Sequence, residues 1–125
     1  MQQHGALAYQ QTAQKTASPR DLEANLLAKS AIQLQRIRDN WDAESSDLDK
    51  ALTYNRKLWS IFLQTVTREE NPLPQPIKQN IANLGVFVMK HTIAVLARPA
   101  PEKLDALILI NREIAAGLRA SPQAA

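Results

Sequence analysis

Hydrophobic positions recur at steps of three and four along most of the chain, the spacing of helices that each bury one face. Between Gly5 and Lys15, Leu7, Ala8 and Ala13 mark a short first helix with a glutamine-rich outer side. Ser18-Pro19-Arg20-Asp21 then opens a second: Ser18 can cap, Pro19 suits the first helical position, and Asp21 complements the positive dipole end. Its stripe is Leu27, Ala31, Leu34, Ile37 and Trp41. The acidic stretch from Asp42 to Asp47 reads as a turn. A third helix is expected from about Asp47 to Val66, with Leu48, Leu52, Leu58, Trp59, Phe62 and Val66 inward. The prolines at 72, 74 and 76 cannot continue it. A fourth helix runs from near Pro76 to about Ala97. After Pro99 and Pro101 a last one carries Leu104, Leu107, Ile108, Ile114 and Leu118.

The fourth helix differs from the rest. One stripe is Ile77, Ile81, Leu84, Val88 and Val95; a second, on another side, is Ala82, Val86, Met89, Ile93 and Leu96. Only a narrow polar strip around Gln79, Asn83 and Lys90 remains. A helix apolar nearly all round belongs at the centre of its domain. The expected fold is therefore all-α: a compact bundle of about five helices with a long, nearly all-round apolar central helix, forming one domain over residues 1–125 with a frayed tail at 119–125. Burial is the plainer reading of the second stripe. The other is a groove for a client helix, and periodicity does not separate the two.

Composition narrows the function classes. With 45% of its 125 residues hydrophobic and 22% charged, the chain is expected to fold rather than stay disordered. No uninterrupted apolar run reaches about 18 residues, so no membrane span is expected, and the start lacks the basic and apolar regions of a secretion signal. The absence of cysteine removes thiol chemistry and fits a cytoplasmic address. His4 and His91 show no metal-ligand spacing, and His91 reads as a hydrogen-bonded boundary residue. Gly5, Gly85 and Gly117 are isolated, so no phosphate loop exists. Neither enzyme activity, nor a cofactor, nor a metal, nor a small-molecule substrate is expected. Fifteen basic residues against 12 acidic give +3, a weak footprint for nucleic acid. Arg36 and Arg38, then Arg56 and Lys57, are pairs rather than a tract, while Trp41, Trp59, Phe62 and Phe87 fall on apolar faces and read as core. Direct nucleic-acid binding is not expected. Asn55, Asn80, Asn83 and Asn111 lie beside or within apolar stripes and are expected to bond across helices or from helix to loop.

Several blocks carry a more specific signal. Asn55-Arg56-Lys57-Leu58-Trp59-Ser60-Ile61-Phe62, Asn71-Pro72-Leu73-Pro74 and Asn80-Ile81-Ala82-Asn83-Leu84-Gly85-Val86-Phe87 follow one another in the middle of the chain. Pro101-Glu102-Lys103-Leu104-Asp105-Ala106-Leu107-Ile108 and Asn111-Arg112-Glu113-Ile114-Ala115-Ala116-Gly117-Leu118 come after, and Ala8-Tyr9 and Thr16-Ala17-Ser18-Pro19-Arg20 precede. In this order they resemble the FlaF family of alphaproteobacterial flagellar regulators over nearly the whole chain.

The resemblance implies a small helical cytoplasmic protein that binds flagellin, acts as its export chaperone and regulates its synthesis and secretion. Implied partners are a terminal helical segment of flagellin, the regulator FlbT and the flagellar export apparatus. The alternative is a regulator acting on flagellin messenger RNA, directly or as an adaptor for FlbT. A client groove is expected to use the second stripe through Val86, Met89 and Ile93, bordered by Leu109 or by the first helix. Leu109 stands among Asp105, Arg112 and Glu113, away from the inward stripe of the last helix. Methionine suits a surface that accepts imperfectly fitting helices. Arg56 is a candidate contact, since arginine is a common interface anchor. Tyr9 is the residue expected to pin the first helix onto the body.

Overall fold

Residues 18–120 are described by the computed structural model. Among them are four long helices and no strand: α1 (Pro19–Asp39), α2 (Leu48–Val66), α3 (Gln75–Ala97) and α4 (Asp105–Ala120). The all-α expectation holds. The expected first helix, with Tyr9, lies outside the described residues, as do residues 121–125. Arg119 and Ala120, expected in a frayed tail, still belong to α4.

Local chemistry sets the boundaries. The Ser18 hydroxyl accepts from the Asp21 N–H at 3.1 Å, and Pro19 follows it. Asn40 ends α1: both its backbone N–H and its side-chain Nδ2 donate to the Arg36 carbonyl. Trp41, expected on the α1 stripe, instead opens a single turn (Trp41–Glu44) and is half-buried, because the chain leaves helical geometry at Asn40. A 3₁₀ turn at Ser45–Asp47 leads into α2. After Val66, Asn71 organises the proline-rich connector. Its Nδ2 donates to the Thr65 carbonyl at 3.2 Å, and its Oδ1 accepts from the Leu73 N–H at 3.0 Å. That turn drives Leu73 into the hydrophobic edge, where it is buried. Lys78 is buried too, its ammonium donating to the Arg68 carbonyl at 2.7 Å and so tying α3 to the end of α2.

The tightest pairing is α1 against α4. Ala24, Ala28 and Ala31 recur along the α4-facing side of α1, and Ala115 is buried on α4. Small side chains let two helix backbones approach closely. The rim of this seam is polar: Arg38 pairs with Asp105, Arg112 donates to Gln35 at 3.3 Å, and Arg119 donates to Asn25 at 2.7 Å. These exposed contacts align the helices more than they stabilise them.

A polar layer crosses the core between α1, α2 and α4. The Ser30 hydroxyl and Asn111 Nδ2 both donate to Asn55 Oδ1, at 2.9 and 2.7 Å. The Trp59 indole N–H donates to Asn111 Oδ1 at 2.8 Å. All four residues are fully buried. Asn55 and Asn111 thus bond across helices as expected. Asn80 and Asn83 are exposed, and Asn83 only accepts from Gln79 on its own helix.

The long, nearly all-round apolar helix is α3, but its packing is one-sided. It lies along α2, and only Ile81, Gly85, Val88, Thr92 and Val95, with Lys78, are buried on it. The hub of the bundle is α1, which packs on both α4 and α2. The long apolar helix is as expected; besides α2 it borders α4, where Ile77 and Ile81 line one concavity with Ile114 and Leu118. By length and composition α3 could cross a membrane, although no uninterrupted apolar run was found in it, because its polar residues are spaced out among apolar ones.

Candidate functional site

Gly85 marks where α3 comes closest to the Leu63 side chain of α2. A Cβ there would come within 2.5 Å of Leu63 Cδ1 on α2, so glycine lets the two helices close on each other. With that contact fixed, the helical repeat dictates which sides of α3 turn inward. Ile81, Val88 and Val95 of the first expected stripe are buried, Leu84 is half-buried, and Ile77 is exposed. The second stripe turns outward as one row: Val86 and Ile93 are 54% and 67% exposed, Leu96 is exposed, and Ala82 and Met89 are half-buried. Met89 packs against the edge of the core cluster while leaving part of its thioether side chain outside.

The candidate residues do not all share one surface. Two turns back from Leu63 on α2, the repeat brings exposed Arg56 level with Thr92 and Ile93 on antiparallel α3. Arg56 and the second stripe therefore border the same outer valley, between α2 and α3. No ion pair holds the Arg56 guanidinium among the described residues. Leu109 is 59% exposed, yet it sits on the side of α4 opposite the buried row of Leu107, Ile108, Asn111, Ala115 and Leu118. It looks outward from a different part of the bundle. Tyr9 lies outside the described residues. Trp59, with Phe62 edge-on at 5.4 Å, is core.

Phe87 corrects an expectation. Expected in the core, it is exposed on the other flank of α3, stacked on His91 with ring centres 5.2 Å apart. His91 Nε2 lies 2.7 Å from the Lys103 carbonyl, the arrangement in which that nitrogen carries the proton and donates. The pair joins α3 to the 3₁₀ turn Pro101–Leu104 that precedes α4. An apolar side chain covering a polar joint can remain on the surface.

Sequence reasoning missed a second row of exposed apolar residues. Leu22, Leu26 and Ile32 on α1 and Tyr54 and Ile61 on α2 all reach solvent. Leu22 and Leu26 continue at helical spacing into Lys29, Gln33 and Arg36, a mixed apolar and basic face that looks ordinary in sequence. Near its apolar end, Glu23 has one carboxylate oxygen out of reach of solvent and unpartnered among the described residues. Burial pushes its carboxyl above the usual range, against the pull of Arg20. The native state then holds a proton more readily than the unfolded chain, so stability falls as pH rises from the ordinary carboxylate value through the raised one. Glu23→Gln should therefore raise the melting midpoint at pH 7, and the gain should vanish near about pH 4, where the native carboxyl is itself protonated. Thermal melts at both pH values check this; an equal gain at both would assign the effect to packing.

No group of three or more His, Asp or Glu side chains converges among the described residues. The arrangement offers apolar surface rather than reactive groups, and such surface on a small domain is suited to binding another chain. The model of the flagellar protein FlaF matches residues 6–118. FlaF is not a known enzyme family. Neither a curated protein nor a solved structure matches the chain. The match runs from before α1 through nearly all of α4 and includes both exposed rows, and on it the chain belongs to the FlaF family of flagellar proteins.

Proposed function

We propose that this chain is a cytoplasmic flagellin-binding chaperone that shields an assembly-prone terminal helix of flagellin before export. The observation that carries the reading is the outward row of Val86, Met89 and Ile93 on α3, with Arg56 at its border. An amphipathic client helix laid along this valley would cover apolar side chains that now face water, and it would offer its own apolar face in return. The client orders as it binds, which moderates affinity and permits release at the export apparatus. Regulation of flagellin synthesis follows in this reading from occupancy: a chaperone holding its client and one without it present different surfaces to a regulator such as FlbT.

Calorimetric titration of the full chain with N- and C-terminal flagellin fragments tests the proposal. Ile93 is 67% exposed, so Ile93→Asp should leave the melting midpoint unchanged. Its affinity for the bound fragment should fall by about 2 kcal/mol, near 30-fold, as loss of an interface anchor does. Leu109→Asp, on another face, should bind normally. A folded Ile93→Asp protein with full affinity would remove the valley from the reading.

A further inference from the structure

On the opposite side of α2 from the proposed client valley runs a second valley, between α1 and α2. Its α1 wall is Leu22, Leu26, Lys29, Gln33 and Arg36, successive positions on one side of the helix. Its α2 wall runs antiparallel through Ile61, Lys57, Tyr54 and Lys50, also at steps of three and four. A concavity lined by Lys29, Ile32, Gln33, Arg36, Lys50 and Tyr54 occupies one end. Another, lined by Glu23, Leu26, Leu58 and Ile61 among others, occupies the opposite end. From Leu22 to Arg36 the wall is about 21 Å long, the length of a helix of about four turns.

The two ends differ in chemistry. At the basic end Lys29, Lys50 and Lys57 are exposed and engage in no ion pair among the described residues. Two acids stand at this end: Glu44, which holds Arg36 at 3.0 Å, and Asp49, which lines a concavity with Lys50 and Lys57. At the other end the surface is aliphatic, with Leu22 and Leu26 each 41% and Ile61 64% exposed.

We propose that the α1–α2 valley is a second docking site, fitted to an amphipathic helix of a partner protein that carries acidic residues toward one end. Its aliphatic side lies on Leu22, Leu26 and Ile61, and its carboxylates face Lys29, Lys50 and Lys57. The exposed ammonium groups are gathered at one end of the valley, so they favour the direction of the helix that brings its carboxylates to them. Single-stranded nucleic acid fits less well: it stacks on aromatic platforms, and this valley offers Tyr54 alone among aliphatic side chains. The site is independent of the α2–α3 valley, and one chain can hold two partners at once, one on each side of α2.

The test is amide NMR on the full isotope-labelled chain. The probe is a designed 14-residue helix with leucines along one side and glutamates in one half; its control carries lysines in place of the glutamates. The glutamate probe should shift Leu26, Tyr54 and Ile61 and leave Val86 and Ile93 unmoved, whatever the fate of the flagellin reading. Lys50→Glu combined with Lys57→Glu changes two exposed positions; it should keep the melting midpoint and weaken the probe at least tenfold. Equal binding of the lysine control, or no binding of the glutamate probe, overturns the proposal. So does a poly(U) oligonucleotide that shifts the same residues more strongly, which would make the valley a nucleic-acid site. If Ile61→Asp alone, without probe, shifts signals of residues 1–17, the chain's own N-terminal segment is the occupant. A sedimentation mass that doubles with concentration and is restored to the monomer by Ile61→Asp would instead assign a second copy.

Discussion

Trp59→Ala should lower stability by about 3–5 kcal/mol, the cost of emptying a large aromatic site in a packed core. Trp59 has no exposed surface and stands between Phe62 and the polar layer. The more telling variant is Trp59→Phe. It keeps most of the ring but removes the N–H that Asn111 Oδ1 accepts, and leaving that buried acceptor unpaired should cost about 1–3 kcal/mol. Asn111→Leu makes the reciprocal cut. It leaves the indole N–H without its acceptor and removes one of the two donors to Asn55 Oδ1. Because the changes act on one network, the double variant should cost less than the sum of the two singles. Urea melts of the four proteins check the cycle; strict additivity would show that the layer does not act as a unit.

The second large effect is expected at the α1–α4 seam. Ala31 is fully buried on the side of α1 that meets α4. Ala31→Leu inserts three carbons where two backbones run close together, and overpacking of this kind costs about 1–3 kcal/mol or more. Ile32→Ala, one residue on, removes a side chain that is 67% exposed and should change the same denaturation midpoint little. If both variants were neutral, α1 would be rotated from the orientation described here.

Much of the fold was legible because the signals were local. Ser18 and Pro19 start α1 through their own backbone chemistry, and the prolines at 72, 74 and 76 and at 99 and 101 stop helices wherever the rest of the chain lies. Asn111 was legible too, as a cross-helix bond from a position within an apolar stripe. Trp41 was not, since a stripe at helical spacing does not register that Asn40 breaks the helix between Ile37 and Trp41. The candidate surface was half legible. Two apolar stripes on α3 could be read from spacing, but which one turns outward depends on packing against distant parts of the chain, such as Gly85 on Leu63, residues 22 positions apart. Phe87 was misplaced for a related reason: its partner His91 shares its helix, but the polar joint the pair covers involves Lys103, beyond the end of α3. The α1–α2 valley left no separate trace, because each wall alone looks like the wet side of an amphipathic helix.

The one-sided seating of α3 has a kinetic consequence. Its ties to the body are its buried row, packed mainly along α2 and at its start beside Ile114 and Leu118 of α4, the Lys78 ammonium on Arg68 and the His91 ring on Lys103, whereas α1 is gripped closely by both α4 and α2. Detaching α3 leaves the α1–α4 seam and the Asn55–Asn111 layer intact, so partial opening needs less free energy than unfolding the whole domain. Amide hydrogens in α3 should therefore exchange with deuterium sooner than those at the middle of α1, and with a weaker dependence on denaturant. Uniform protection across both helices would mean that the bundle opens only as one cooperative piece. If α3 exchanges first, the surface proposed for the client rides on the part of the molecule that yields first.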